Sequence, residues 1–460
     1  MIPSSTGLHL TADRVRHKRR YLLLALALAS VAAIVCATVV SSWLSPDAGS
    51  RAASESFQPQ LPASRSVRAA NPLVGHTGTP AARLSGAVHP MYTLTRYLVD
   101  NLASRTYRGD EEYFSGSWRS GDPGCWMCST GPGAAAAVLA TFPGPKAAYY
   151  RRLAVETFTN AIKSRELPNG SYANPQEPAT GYSIPTLFFG VELGQAYLQL
   201  RAQLDRATRA LWQSALARAA DYLVDTGLVT YYANGNINLQ LTELLFEAWQ
   251  ATGSTELHTE YEKSWTFTMF PGSNWPGDGL IVTSGSVADN GATGTGFLAE
   301  SGGALPGYDP DYTQLQADEA ARLYEYSHDR RALLLMNLLT NQLLLRRSDG
   351  WLLQTAGGTR HTQSGSRLIP FTDSAIPVLA WLGARHDLVR DLPGQLKELR
   401  LDMCGGLTYS YANLYRELGN EVAVILRAAQ IAGASASAAG LTVAPVCPNI
   451  PAPLRRRLTN

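Results

Sequence analysis

The chain carries no strong charge of either sign. Lys and Arg number 39 against 37 Asp and Glu, a formal net charge of +2 at pH 7. Part of the positive charge is Arg14, Arg16, Lys18, Arg19 and Arg20 near the start, so the rest is close to balanced. That excludes the basic stripe of a nucleic-acid binder, and no nucleic-acid partner is expected. Histidine is scarce at 8 residues, and none clusters with the cysteines, so neither a zinc site nor another metal or cofactor is expected. Long alternating polar and apolar runs are lacking, which leaves little room for extended sheets. Cysteine is also sparse, with five in the chain: Cys36, Cys125, Cys128, Cys404 and Cys447.

What is present is first of all one long apolar, uncharged run, Tyr21 to Leu44, directly behind the basic cluster. A helix rises about 1.5 Å per residue, so roughly 20 apolar residues cross the hydrocarbon core. The run is long enough. Residues 1–20 read as a cytoplasmic basic tail and 21–44 as a transmembrane helix in contact with the lipid bilayer. The expected location is the cell membrane, single-pass, with the main domain extracytoplasmic. A cleaved signal peptide is the rival reading, but its apolar core is usually about 7–15 residues long. Ser41-Ser42-Trp43-Leu44-Ser45 is also a poor cleavage site, and Trp43 suits an interfacial anchor. Both readings give one compartment.

An oxidising compartment makes Cys125, Cys128, Cys404 and Cys447 disulfide candidates, with three possible pairings. The favoured set is Cys404–Cys447, tying down the C-terminal tail, with Cys125–Cys128 as a local pair. A redox motif at Cys125-Trp126-Met127-Cys128 competes with that, but needs a strand–helix context. The flanking Gly121-Asp122-Pro123-Gly124 and Gly131-Pro132-Gly133 read as turns instead.

Residues 45–88, rich in Ala, Ser, Pro and Arg, read as a disordered linker. From residue 89 to 460 amphipathic helical segments alternate with Gly/Pro-rich loops. One starts behind Asp205, a good N-cap, and places Leu211, Trp212, Ala215, Leu216, Ala219, Tyr222 and Leu223 at helical spacing up to Thr226-Gly227. Another covers about 238–252 and closes at Gly253. Further helices are predicted at about 90–104, 146–166, 183–201, 256–269, 311–327, 330–346, 373–384, 386–400 and 413–432. The Gly-rich 272–309 stretch has room for short hairpins.

The helices come in pairs, with short connections on one side and longer loops on the other. A lone pair cannot bury its apolar face, so the pairs must stack around a shared core. The expected class is mainly α: an (α/α) toroid of about six helix pairs, behind the single N-terminal transmembrane helix. An open solenoid is the alternative.

Three stretches carry a resemblance to known proteins. They are Tyr231-Tyr232-Ala233-Asn234-Gly235-Asn236-Ile237-Asn238 entering a helix, Gly307-Tyr308-Asp309-Pro310-Asp311-Tyr312 entering another, and Asp349-Gly350-Trp351. With these loops the chain resembles the heparinase and alginate-lyase-like (α/α) toroid proteins that act on polysaccharides. The resemblance implies a polysaccharide or envelope glycan as partner, bound in a cleft of aromatic and amide side chains. Such lyases commonly carry a histidine beside the cleft asparagine, whereas Leu239 follows Asn238 here.

β-Elimination on a uronic-acid polymer requires the substrate carboxylate to be neutralised, a base for the α-proton and an acid for the leaving oxygen. The candidates are Asn236 and Asn238 on the carboxylate, Arg360 screening its charge, and Tyr312 or Tyr308 exchanging the proton, with His361 as a second acid or base. Tyr172, Tyr232, Tyr308, Trp351 and Glu300 are candidate substrate-binding residues. Asn and Asp at helix starts also serve as caps, and loop tyrosines are common. Hydrolysis is the alternative chemistry and requires two carboxylates. The available acids are Glu300, Asp309, Asp311, Asp289, Asp278 and Glu243. The third reading is a non-catalytic glycan-binding or scaffold protein, for which 9 Trp and 21 Tyr supply stacking surfaces.

Overall fold

The computed structural model describes residues 90–104, 130–172, 183–270, 279–300, 307–348, 352–354, 368–370, 374–395 and 418–433. The helices are α1 (Pro90–Ser104), α2 (Gly131–Leu139), α3 (Ala147–Arg165), α4 (Ser183–Leu200), α5 (Arg206–Asp225), α6 (Gly235–Thr252), α7 (Thr255–Met269), α8 (Pro310–Ser327), α9 (Arg330–Arg346), α10 (Ala375–Trp381) and α11 (Ala423–Ala432). Residues 21–44 and Cys36, Cys125, Cys128, Cys404 and Cys447 lie outside the described residues, as do Trp351, Arg360 and His361. No described helix is long and apolar enough to cross a membrane.

Local chemistry sets the helix ends. Asp205 caps α5, accepting from the Thr208 N–H at 2.9 Å, and Ser254 caps α7 in the same way. Gly227 and Gly253 follow α5 and α6 at φ of 74° and 75°, the left-handed conformation that ends a helix. Two expected boundaries need correction. Helix α6 opens at Gly235, not near 238, so Asn238 lies inside it. Gly131-Pro132-Gly133, expected to turn, opens the fully buried α2, because proline fits a first helical turn. A Cβ on Gly133 would stand 2.8 Å from Thr157 of α3, so the glycine there permits close packing. The helix expected over 386–400 begins as a 3-10 helix, His386–Asp391, and α11 is preceded by a π-type turn, Leu418–Val422.

Packing follows the alternation of short and long connections. Helices α2, α4, α6, α8, α10 and α11 each pack on the next, and α11 returns to α2, closing an inner ring. Helices α1, α3, α5, α7, α9 and the 3-10 helix at His386–Asp391 lie outside it, each against an inner partner. Every short connection leads from an inner helix to an outer one, so all inner helices start at the same end. Hydrogen bonds agree with this sense. Ser183 and Tyr232, at the starts of α4 and α6, bond at 2.8 Å, while Thr141, Gln199 and Gln430 bond to one another where α2, α4 and α11 finish.

The apolar core fills the space between inner and outer helices. Trp212 of α5 is fully buried, meets Phe158 of α3 edge-on at 5.4 Å, and donates its indole N–H to Thr159. Helix α4 approaches α6 through Gly190 and Gly194, where a Cβ would run into Leu244 and Glu247. Two small antiparallel sheets decorate the start-side loops. One pairs β1 (Leu280–Ser284) with β2 (Thr295–Leu298), in the stretch where hairpins were expected. The other joins β3 (Arg347–Ser348), β4 (Leu352–Gln354) and β5 (Leu368–Pro370).

Candidate functional site at the opening of the inner ring

The starts of α6 and α8 bring several predicted residues together. Glu300, 1% exposed, follows β2 and reaches across to α6. Its carboxylate accepts from the Asn236 backbone N–H at 2.9 Å, the Asn234 side-chain amide at 2.9 Å and the Gln316 amide at 2.9 Å. An acid at a helix N-terminus meets unpaired N–H groups and the positive end of the dipole, so Glu300 fastens the first turn of α6. It therefore has a structural task beside any contact with a ligand. Glu300→Ala strands those donors and is expected to lower stability by about 1–3 kcal/mol, read from urea unfolding. Glu300→Gln, which keeps the shape and one acceptor, is expected to lose less.

The neighbouring amides are similarly engaged. Asn238 donates its side-chain N–H to the Tyr232 carbonyl at 2.9 Å. The amide oxygens of Asn236 and Asn238 are buried and have no hydrogen-bond partner among the described residues. Tyr312, half-buried in the first turn of α8, gives its backbone N–H to Asp309 at 3.2 Å. Tyr232 is 7% exposed with its hydroxyl on Ser183, and burial raises its pKa above the ordinary value. Tyr308 is buried against Phe297, ring centroids 5.1 Å apart. Tyr172 is fully buried, tilted against Phe189 with ring centroids 4.1 Å apart, and distant in sequence from this cluster. A tyrosine with no exposed surface contributes packing and offers no face to a sugar. Tyr231, beside Tyr232, is the exposed member of the pair at 59%.

Below the opening, the inner helices turn carboxyls toward the axis of the ring. Glu243 of α6 accepts Nε and Nη2 of Arg322, from α8, at 3.1 and 3.0 Å, and the Gln195 amide from α4 at 3.2 Å. Glu319 accepts from Gln240, and Glu325 faces Arg427 at 3.8 Å. Glu192 accepts from the Thr130 hydroxyl at the start of α2. Burial pushes the Glu192 carboxyl up to about 8, against the opposing pull of the Thr130 hydrogen bond, Arg322 and Arg165. Burial also raises Glu247, Glu319 and Glu325 well above the usual carboxylate range, and the neighbouring Glu243 raises Glu247 further. Burial alone would lower the Arg322 pKa, but Glu243, Glu319 and Asp318 raise it instead.

Among the described residues the side chains at this axis pack closely. A cavity of about 10 Å³ lies between Gln195, Arg322, Glu325, Tyr326 and Arg427. That is space for a single water and far below the roughly 300 Å³ at which ligand pockets begin. Among the described residues no group of His, Cys, Asp and Glu has the arrangement of a metal site.

Sequence reading passed over Glu192, Glu247, Glu319, Arg322 and Glu325. Their signal was present: Glu192 is the lone charge in an otherwise uncharged α4, and Glu319, Arg322 and Glu325 recur at helical spacing among alanines. An acid on the apolar face of a helix is a buried acid.

No protein-family model matches the chain, and no curated protein matches it. Among solved structures it is similar to a family 76 glycoside hydrolase (mannosidase) from Bacteroides thetaiotaomicron VPI-5482, at 11% identity and a TM-score of 0.45, over 76% of this chain and 99% of that one. It is also similar to a family 76 glycoside hydrolase from a bovine Bacteroides thetaiotaomicron strain, at 12% identity and a TM-score of 0.43, over 76% of this chain and 77% of that one.

Proposed function

We propose that this protein is a glycoside hydrolase acting on an extracytoplasmic polysaccharide, tethered to the cell membrane through residues 21–44. The reading is supported by the closed ring whose inner helices all begin at one end, where amide and tyrosine side chains collect around Glu300. The chemistry at that end favours hydrolysis over elimination. A lyase must present donors to a uronate carboxylate. Here the Asn238 amide donates to the Tyr232 carbonyl and that of Asn234 to Glu300, so both amides are engaged within the protein. Carboxyls, the groups from which glycosidases build their acid and base, are the abundant ionisable groups of the inner ring. The tether rests on the length of the apolar run and the basic cluster before it.

The test is incubation of the full chain in detergent with neutral and uronic-acid polysaccharides. New reducing ends without ultraviolet absorbance from a conjugated double bond are the expected result. Appearance of that absorbance on a uronic-acid polymer would mean elimination and overturn the proposal. A reporter fused after Asn460 is expected to respond on the outer side of the membrane, and a cytosolic response would remove the tether.

A further inference from the structure

We propose that Tyr231 is a sugar-stacking platform at the opening of the inner ring, taking the apolar C–H face of a neutral pyranose. The inference rests on the glycan reading above and adds the residue that holds the chain of sugars.

Tyr231 is unusual among the described residues. Large apolar side chains with substantial exposure are Tyr231 at 59%, Leu345, Val389 and Ile431, and only Tyr231 is aromatic. Elsewhere the described aromatic rings are covered or partly covered by packing. An aromatic ring left in water forgoes the burial free energy that its neighbours gain, and its free face can recover that energy when a ligand covers it.

The ring is also held in place. Tyr232 meets it edge-on, with centroids 5.2 Å apart and planes at 85°. Tyr232 is itself fixed at both ends: its hydroxyl bonds Ser183 at 2.8 Å and its carbonyl takes the Asn238 amide at 2.9 Å. On the other side the chain leaves a 3-10 turn, Leu228–Thr230, and the Tyr231 N–H closes it on the Leu228 carbonyl at 3.3 Å. A surface ring pinned this way loses little further freedom when a ligand covers it, which is the condition for a useful platform. It lies in the loop that enters α6, on the end of the ring where the inner helices start, three residues before Asn234, whose amide bonds Glu300. The face of a pyranose is a flat patch of C–H groups, which complements the negative face of a phenol ring.

The test is affinity electrophoresis of the full chain in detergent, through gels containing a mannan, a β-glucan or a xylan, with reducing-end release measured in parallel. Tyr231→Ala is expected to weaken retardation by roughly tenfold in affinity, and Tyr231→Phe, which keeps the ring, by less than about twofold. Thermal unfolding of Tyr231→Phe should match the parent, and Tyr231→Ala, which removes the ring packed on Tyr232, should unfold slightly earlier while remaining folded at the temperature of the gels. Retardation of the parent that Tyr231→Ala leaves unchanged overturns the platform and leaves the function reading standing. Retardation lost with Tyr231→Ala but no reducing ends from the parent supports the platform and overturns hydrolysis. No retardation of the parent in any gel overturns both.

Discussion

Replacing Arg322 by Met is expected to cost about 3–5 kcal/mol of unfolding free energy. Arg322 is fully buried on α8 and is the cation that Glu243 is bonded to twice. Glu319 and Asp318 lie within its electrostatic reach and raise its proton affinity. Removing the guanidinium leaves Glu243 desolvated with only Gln195 to satisfy it. Methionine fills the volume, so a loss of that size measures charge and hydrogen bonding, not a cavity. Urea unfolding followed by circular dichroism reads it. The double exchange Arg322→Met with Glu243→Leu is expected to recover a large part of the loss, because an apolar pair of similar volume replaces a buried ion pair at little cost. A single variant as stable as the parent would show that the axis is wet and that Arg322 carries no burden there.

Stability is expected to fall steadily as the solution is made less acid, the reverse of the usual behaviour of carboxylates in ion pairs. Glu192 ordinarily releases its proton near 4.5, but in the folded ring burial holds that proton up to about 8. Between those values the native protein binds a proton that the unfolded chain has given up. Raising the pH there favours unfolding, by about 1.4 kcal/mol per pH unit for each such group. Glu247, Glu319 and Glu325 are displaced in the same direction by burial and steepen the decline. Asp329 is displaced downward despite its burial, because Arg331 holds its charged form, so its contribution changes only at more acid pH. Urea midpoints are expected to drop from about pH 5 to about pH 8, and Glu192→Gln is expected to flatten the slope by one proton's worth. Midpoints that stay level or climb across that range would show that these carboxyls keep water around them.

Helix positions were largely legible because each outer helix shows the period of a half-buried surface. Asp205, Trp212, Leu216 and Gly227 announce the start, the face and the end of α5 without help from elsewhere. Helix α2 was not legible, because glycine and proline ordinarily break a helix. Only the contact with Thr157 shows that Gly133 is there to let two helices meet. Inner helices such as α4 are apolar all round and give no face, so their arrangement around a common axis had to come from packing.

The candidate site divides in the same way. The loops entering α6 and α8 were recognisable as a cluster of Asn, Tyr and Asp, and the structure does place Asn236, Asn238, Glu300 and Tyr312 around the starts of those two helices. The roles within the cluster were hidden. Sequence gives no reason to prefer Tyr231 over Tyr232, yet one ring faces water and the other is packed under it. Nor does it show that Glu300, far along the chain, closes the first turn of α6.

By itself the sequence determined a mainly helical domain, its helix ends and the pairing of short and long connections, because caps, periodicity and glycine punctuation act over a few residues. Closure of the ring, the acid-filled axis and the choice of exposed tyrosine were decided only by the tertiary structure. Those depend on which groups from distant segments share one low-dielectric space, and burial is a property of the assembled fold, not of any stretch within it.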